Sequence, residues 1–149
     1  MMAFRYTLQS MLRLRQSIEH QEEQRLYATA AAVAQLRAKL EQLEHERVRV
    51  RRETLQERNE DTFGATFQFI AACEAAASQS IAKLQMALAG AERLRIRQLE
   101  VYKDARRKRE IFEALRDQQK ASYDLERAHR DQEQVDEAFL MRRKLAPSD

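Results

Sequence analysis

Three histidines, His20, His45 and His129, and a single cysteine, Cys73, are the side chains of this chain best suited to hold a metal or attack a substrate. The histidines lie far apart in sequence. Glu41 and His45 share a helix face at i,i+4 spacing, but one carboxylate and one imidazole fall short of the ligand set zinc takes. Cys73 has no histidine nearby to activate it. A lone cysteine also permits neither an internal disulfide nor a cysteine-based zinc motif. There is no glycine-rich phosphate loop and no G-x-S-x-G elbow. The pattern predicts solvent-exposed imidazoles and a small core or surface thiol. It predicts no catalytic residue, no metal and no cofactor.

A second candidate is electrostatic. Arg93, Arg95, Arg97, Lys103, Arg106, Arg107, Lys108 and Arg109 crowd into one stretch, against only Glu100 and Asp104. Such a stretch suits nucleic acid, anionic lipid or an acidic protein surface. Four successive cations on a helix point in all directions, so Arg106 to Arg109 form no single face. Aromatic residues to stack bases are scarce there. The net charge of +3 is small for a protein dedicated to nucleic acid. An acidic protein partner therefore ranks above nucleic acid, with a merely solvated charged face as the remaining reading. A third candidate is apolar: Phe63, Phe67, Phe69 and Ile70 cluster where the chain must turn, and a two-helix tip cannot hide all four.

The elements that carry these residues follow from composition and periodicity. Charged residues make up 34% of the chain, and there are two glycines and one proline, a profile of long helices rather than of a compact core. The opening residues lack an apolar h-region, which predicts no secretory signal. The longest uncharged runs, residues 26–36 and 62–73, are shorter than the roughly 20 residues a membrane span requires. Leu26, Val33 and Leu40 recur every seven residues, as do Leu36, Leu43 and Val50. In the second half Ile81 and Leu88 take one core position and Leu84 and Ala91 the other. Folding the chain at residue 62 sets Leu43 opposite Ile81, Leu40 opposite Leu84, Leu36 opposite Leu88 and Val33 opposite Ala91. Every layer then matches one a position with one d, as an antiparallel pair requires. Turn chemistry clusters at the same place, in Asn59, Asp61, Thr62 and Gly64.

The predicted fold is all-α: a long antiparallel two-helix coiled-coil hairpin with an overhanging C-terminal helix. It forms a single domain over residues 1–149, with helix 1 over about 4–58, a turn over about 59–65 and helix 2 over about 66–145. Such a hairpin offers no concave pocket of the kind most active sites use. The same register places Leu12 near Phe112 and Phe4 near Lys120, and leaves Tyr123 onward without a partner in the hairpin. That overhang nonetheless carries Leu125, Val135, Phe139, Leu140 and Leu145. Glu22, Arg15, Arg95 and Arg109 fall on or beside core positions, where polar side chains weaken a seam and specify its register.

Two stretches carry a family likeness. The opening Phe4-Arg5-Tyr6-Thr7-Leu8-Gln9-Ser10-Met11-Leu12-Arg13-Leu14-Arg15 resembles the start of flagellar FliJ-type export proteins. So does Phe112-Glu113-Ala114-Leu115-Arg116-Asp117-Gln118-Gln119, followed by Tyr123, the acidic run Asp131 to Glu137, and Arg142-Arg143. The resemblance covers nearly the full length. It implies a non-enzymatic, cytoplasmic component of the flagellar type III export apparatus, peripheral to the inner membrane. It further implies a stalk whose open end enters and stimulates the hexameric export ATPase, whose tip meets the membrane export-gate protein, and which escorts export chaperones. Carried over by position, the ATPase contact involves Leu8, Met11, Leu14, Asp131, Asp136, Glu137, Phe139, Leu140 and Arg142. The gate contact involves Leu43, Val50, Phe69, Cys73 and Ala76. At two first-arm positions where some relatives have aromatics, this chain has Glu46 and Val50. Stalk proteins of virulence secretion systems share the architecture. A basic nucleic-acid-binding coiled coil and a dimerising structural spacer remain the readings from other classes.

Overall fold

The computed structural model describes residues 3–56 and 63–146. It is all-α. Helix α1 runs Gln9–Gln56 and helix α2 runs Phe63–Leu145. The two long helices pack against each other, and the described residues contain no strand. Part of the expected turn, residues 59–62, lies outside the described residues. Its expected last three residues, 63–65, belong to α2 instead. Phe63 and Ala65 carry no helix-breaking chemistry, and Gly64 between them is tolerated at a cost of about 1 kcal/mol.

Contacts divide the chain into two compact units: Met1–Glu19 with Asp104–Asp149, and His20–Lys103. In the second of these, α1 and α2 run antiparallel. Half-buried or buried positions recur at spacings of three and four along both helices: Leu26, Thr29, Val33, Leu36, Leu40 and Leu43 on α1, and Ile70, Cys73, Ala77, Ile81, Leu84, Leu88 and Ala91 on α2. All ten residues given core positions by the heptad pattern are buried or half-buried, Val50 included. Val33 and Ile81 are the most enclosed, and the rest remain half-covered, as expected where only two helices share a seam. Salt bridges cross between the helices beside it, Arg37 to Glu92 at 2.6 Å and Arg47 to Glu74 at 3.0 Å. Gln98 Nε2 donates to both the backbone carbonyl and the carboxylate of Glu22. Arg95, by contrast, is exposed, so it does not occupy the seam.

The other unit has its own core, made by Tyr6, Leu12 and Ala105, with Leu12 fully enclosed. Helix α1 begins at Gln9 rather than near residue 4. Its first bonds run from Gln9 N–H to the Tyr6 carbonyl at 3.2 Å and from Leu12 N–H to the Leu8 carbonyl at 2.9 Å. The residues before it are non-helical and cover more distance per residue than a helix does. Phe4 therefore reaches Tyr123 rather than Lys120, with ring centroids 5.5 Å apart. This corrects the expectation that residues from Tyr123 onward lack an intramolecular partner: Tyr123 holds Phe4, and Arg127 also has an interaction within the chain. From Asp124 to Ala146 every described residue is exposed. Arg142, Arg143 and Lys144 form the last turn of α2, where cations complement the partial negative charge of a helix C-terminus.

Candidate functional site

The N-terminal segment is fastened by specific contacts. Tyr6 Oη donates to the Phe112 carbonyl at 2.9 Å. That carbonyl belongs to α2, so a side chain from the start of the chain addresses the backbone of the second helix. The Arg15 guanidinium lies 5.9 Å from the centre of the Phe112 ring. Its Nε is buried with no hydrogen-bond partner among the described residues, so ring contact stands in for hydration there. One turn along, Arg109 donates to Glu19 through Nε and Nη2 and to Glu113 through Nη1. These three side chains are largely covered, which makes the pairing stronger than an exposed one. Hydrogen bonding to Glu19 raises the pKa of Arg109, burial opposes it, and Glu113 adds to the rise. Arg109 is a permanent cation set between two carboxylates.

The nine residues expected to meet an ATPase all fall in this unit. Leu8 is half-buried just before α1, and Met11 and Leu14 are exposed on it. Asp131, Asp136, Glu137, Phe139, Leu140 and Arg142 are exposed on the last turns of α2. Asp136 accepts a hydrogen bond from Gln132 at 3.1 Å, a local helical pairing that leaves the apolar residues uncovered. Phe139 is 64% exposed and Leu140 54%.

Of the five residues expected at the gate, Leu43, Val50, Cys73 and Ala76 line one cleft of about 240 Å3, together with Ile70 and Ala77. Glu46, Arg47, Arg51 and Glu74 form its polar walls. Phe69 is exposed and does not line it. Phe67 is exposed as well, while Ile70 is half-buried. The aromatic cluster at the tip is thus partly outward.

Half of the basic stretch is engaged by neighbouring acids. Lys103 pairs with Glu100, Arg106 with Glu110, Lys108 with Asp104, and Arg109 with Glu19 and Glu113. Half of its eight cations therefore face carboxylates of their own chain, which weakens it as a phosphate-binding surface. His45 sits 3.8 Å from Glu41 and His129 3.4 Å from Glu133, both in exposed pairs one turn apart. Among the described residues no group of three His, Cys, Asp or Glu side chains is placed to hold a metal. No helix among them is long and apolar enough to cross a membrane.

Sequence reasoning missed the Tyr6–Phe112 bond and the Glu19–Arg109–Glu113 layer. The signal available was an aromatic hydroxyl ahead of the first helical turn, and opposite charges at seam positions of both helices.

Comparison with curated proteins and with solved structures gives no match. A family profile described as flagellar FliJ protein matches residues 4–146. That span takes in both helices, the fastened N-terminal segment and the exposed end of α2. The chain belongs to the FliJ family and is a component of the flagellar export apparatus.

Proposed function

We propose that this protein is the stalk of the flagellar export machine, binding and stimulating the hexameric export ATPase through the unit that holds both chain ends. Its work is mechanical and allosteric: contacts that differ between conformations of the ring bias the ring among them. Leu8, Met11, Leu14, Phe139 and Leu140 supply apolar contact. Asp131, Asp136, Glu137 and Arg142 set orientation and salt-sensitive association. The cleft at Leu43, Val50, Cys73 and Ala76 is the proposed seat of the membrane export-gate protein, and export chaperones are passing partners. The protein acts at the cytoplasmic face of the membrane through these partners and performs no catalysis itself.

One observation carries this reading: the last turns of α2 present Leu125, Val135, Phe139, Leu140 and Met141 with no described residue covering them. A helix draws most of its stability from packing, so a long uncovered apolar stretch gains from a partner. The test is ATP hydrolysis by the cognate export ATPase. Deleting residues 128–149 spares the Phe4–Tyr123 contact and should abolish stimulation. Phe139→Ser with Leu140→Ser should do nearly as much damage without shortening the chain. Full stimulation by the shortened protein would refute docking through the tail.

A further inference from the structure

The second half of α2 carries two apolar stripes on nearly opposite faces. The first is the seam, through Ala105, Arg109, Phe112, Arg116 and Tyr123, which is buried or half-buried. The second has the same seven-residue spacing in another phase. Ile111, Gln118, Leu125, Gln132 and Phe139 form one row; Ala114, Ala121, Ala128 and Val135 form the other. Every one of these nine residues is exposed. At about 100° per residue the two stripes lie roughly 150° apart around the helix. The first half of the outward stripe borders an open groove of about 600 Å3, lined by Phe4, Leu115, Gln118, Ser122 and Tyr123.

Rows repeating every seven residues are the a and d positions of a coiled coil. Here the d row begins with three alanines, which let a neighbouring helix approach closely and leave room for its larger side chains. One edge of the stripe carries an acid at every heptad, Glu110, Asp117, Asp124 and Asp131; Glu110 pairs with Arg106 and Asp117 with Arg116 in exposed surface pairs, which compete only weakly with a partner's cations. Lys120 and Arg127 stand one position further round, away from the stripe. The other edge carries Leu115, Ser122, His129 and Asp136. A second copy of this chain fits poorly. Packed antiparallel it would oppose the acidic edge to itself. Packed parallel it would oppose that edge to Leu115, Ser122, His129 and Asp136, which offer no lysine or arginine.

We propose that residues 111–139 of α2 form a second, intermolecular coiled-coil surface. Its occupant is a helix of another protein with large apolar a and d residues and lysines or arginines along its edge. The surface shares Leu125, Val135 and Phe139 with the tail assigned to the ATPase, extends two heptads further toward the start of α2, and does not rest on that assignment.

The experiment uses the full-length protein and two synthetic four-heptad peptides with leucine at a and d. One has lysine at e and g, the other glutamate. Each peptide repels itself and so stays available for binding. Fluorescence anisotropy should show the lysine-edged peptide binding at least tenfold more tightly than the glutamate-edged one, with the gap shrinking in high salt. Leu125→Glu, placed on a residue 75% exposed, should weaken binding at least tenfold with helicity unchanged by circular dichroism. Asp117→Lys, Asp124→Lys and Asp131→Lys together should invert the preference. Equal binding of both peptides, no binding of either, or indifference to Leu125→Glu would overturn the proposal. So would a protein dimer in sedimentation that Leu125→Glu abolishes, since the occupant would then be a second copy.

Discussion

Replacing Leu12 with alanine tests whether the core near the chain ends is a true packed layer. Leu12 is fully buried, whereas Leu14, two residues on, is 51% exposed. Leucine to alanine removes about three methylene equivalents, worth about 0.8 kcal/mol each, or roughly 2.4 kcal/mol in all. A seam made by two helices can close around the lost volume, so the cavity contribution is small and the total sits near the low end of the about 2–5 kcal/mol range for such changes. At Leu14 about half the transfer term is at stake, near 1 kcal/mol, and alanine's better helix propensity offsets part of it. A chain with two compact units need not melt as one, so the assay is amide exchange at residues 9–19 and 105–116, under conditions where closing outruns exchange. Leu12→Ala should accelerate exchange there roughly 60-fold, and Leu14→Ala no more than about fivefold. If the two substitutions cost the same, or Leu12→Ala changes exchange less than twofold, the core has been wrongly drawn.

Two further outcomes are expected. In a double-mutant cycle, Glu19→Gln and Arg109→Gln should show a coupling of roughly 1 kcal/mol, above that of an exposed pair because both side chains are largely covered; coupling below about 0.3 kcal/mol in chemical denaturation would show the pair to be ornamental. Gly90 lies inside α2 with nothing within 4 Å of where a Cβ would sit, so Gly90→Ala should raise the stability of the His20–Lys103 unit by about 0.5–1 kcal/mol, and a lower melting temperature would refute the open space seen there.

The seam was legible from sequence because a seven-residue spacing on two helices leaves one register that pairs them. Leu36, Leu40, Leu84 and Leu88 identified that register without reference to any coordinate. The start of α1 was less legible. Nothing in Phe4-Arg5-Tyr6 forbids a helix, and what holds these residues out of one is a bond from Tyr6 to a carbonyl over a hundred positions away. Arg95 shows the limit of phase-counting: it stands at a core spacing, yet its charged end is served better by water. Arg109 stands at the same kind of spacing and goes in, because Glu19 and Glu113 meet it there. The outward stripe on α2 escaped notice for another reason. Apolar rows on nearly opposite faces cancel in any measure that seeks one preferred direction. The cleft at Leu43, Val50 and Cys73 needs both helices in place before it exists, so sequence could offer its residues but not their grouping.

The contact between Tyr6 and Phe112 spans 106 positions of the chain, and Phe4 meets Tyr123 further still. On a ribosome adding about 5–20 residues per second, the partner of Tyr6 is made roughly 5–20 s after Tyr6 itself. Through that interval Leu12 has no core to enter, and the opening residues are held by nothing that yet exists. Contacts between distant parts of a chain are also the slow ones to form. The first residues made are thus among the last to be placed. A chain stopped before residue 105 would present Phe4, Tyr6 and Leu12 together as exposed apolar side chains, a mark by which unfinished copies differ from finished ones. An assembled N-terminal core certifies that synthesis has passed Tyr123.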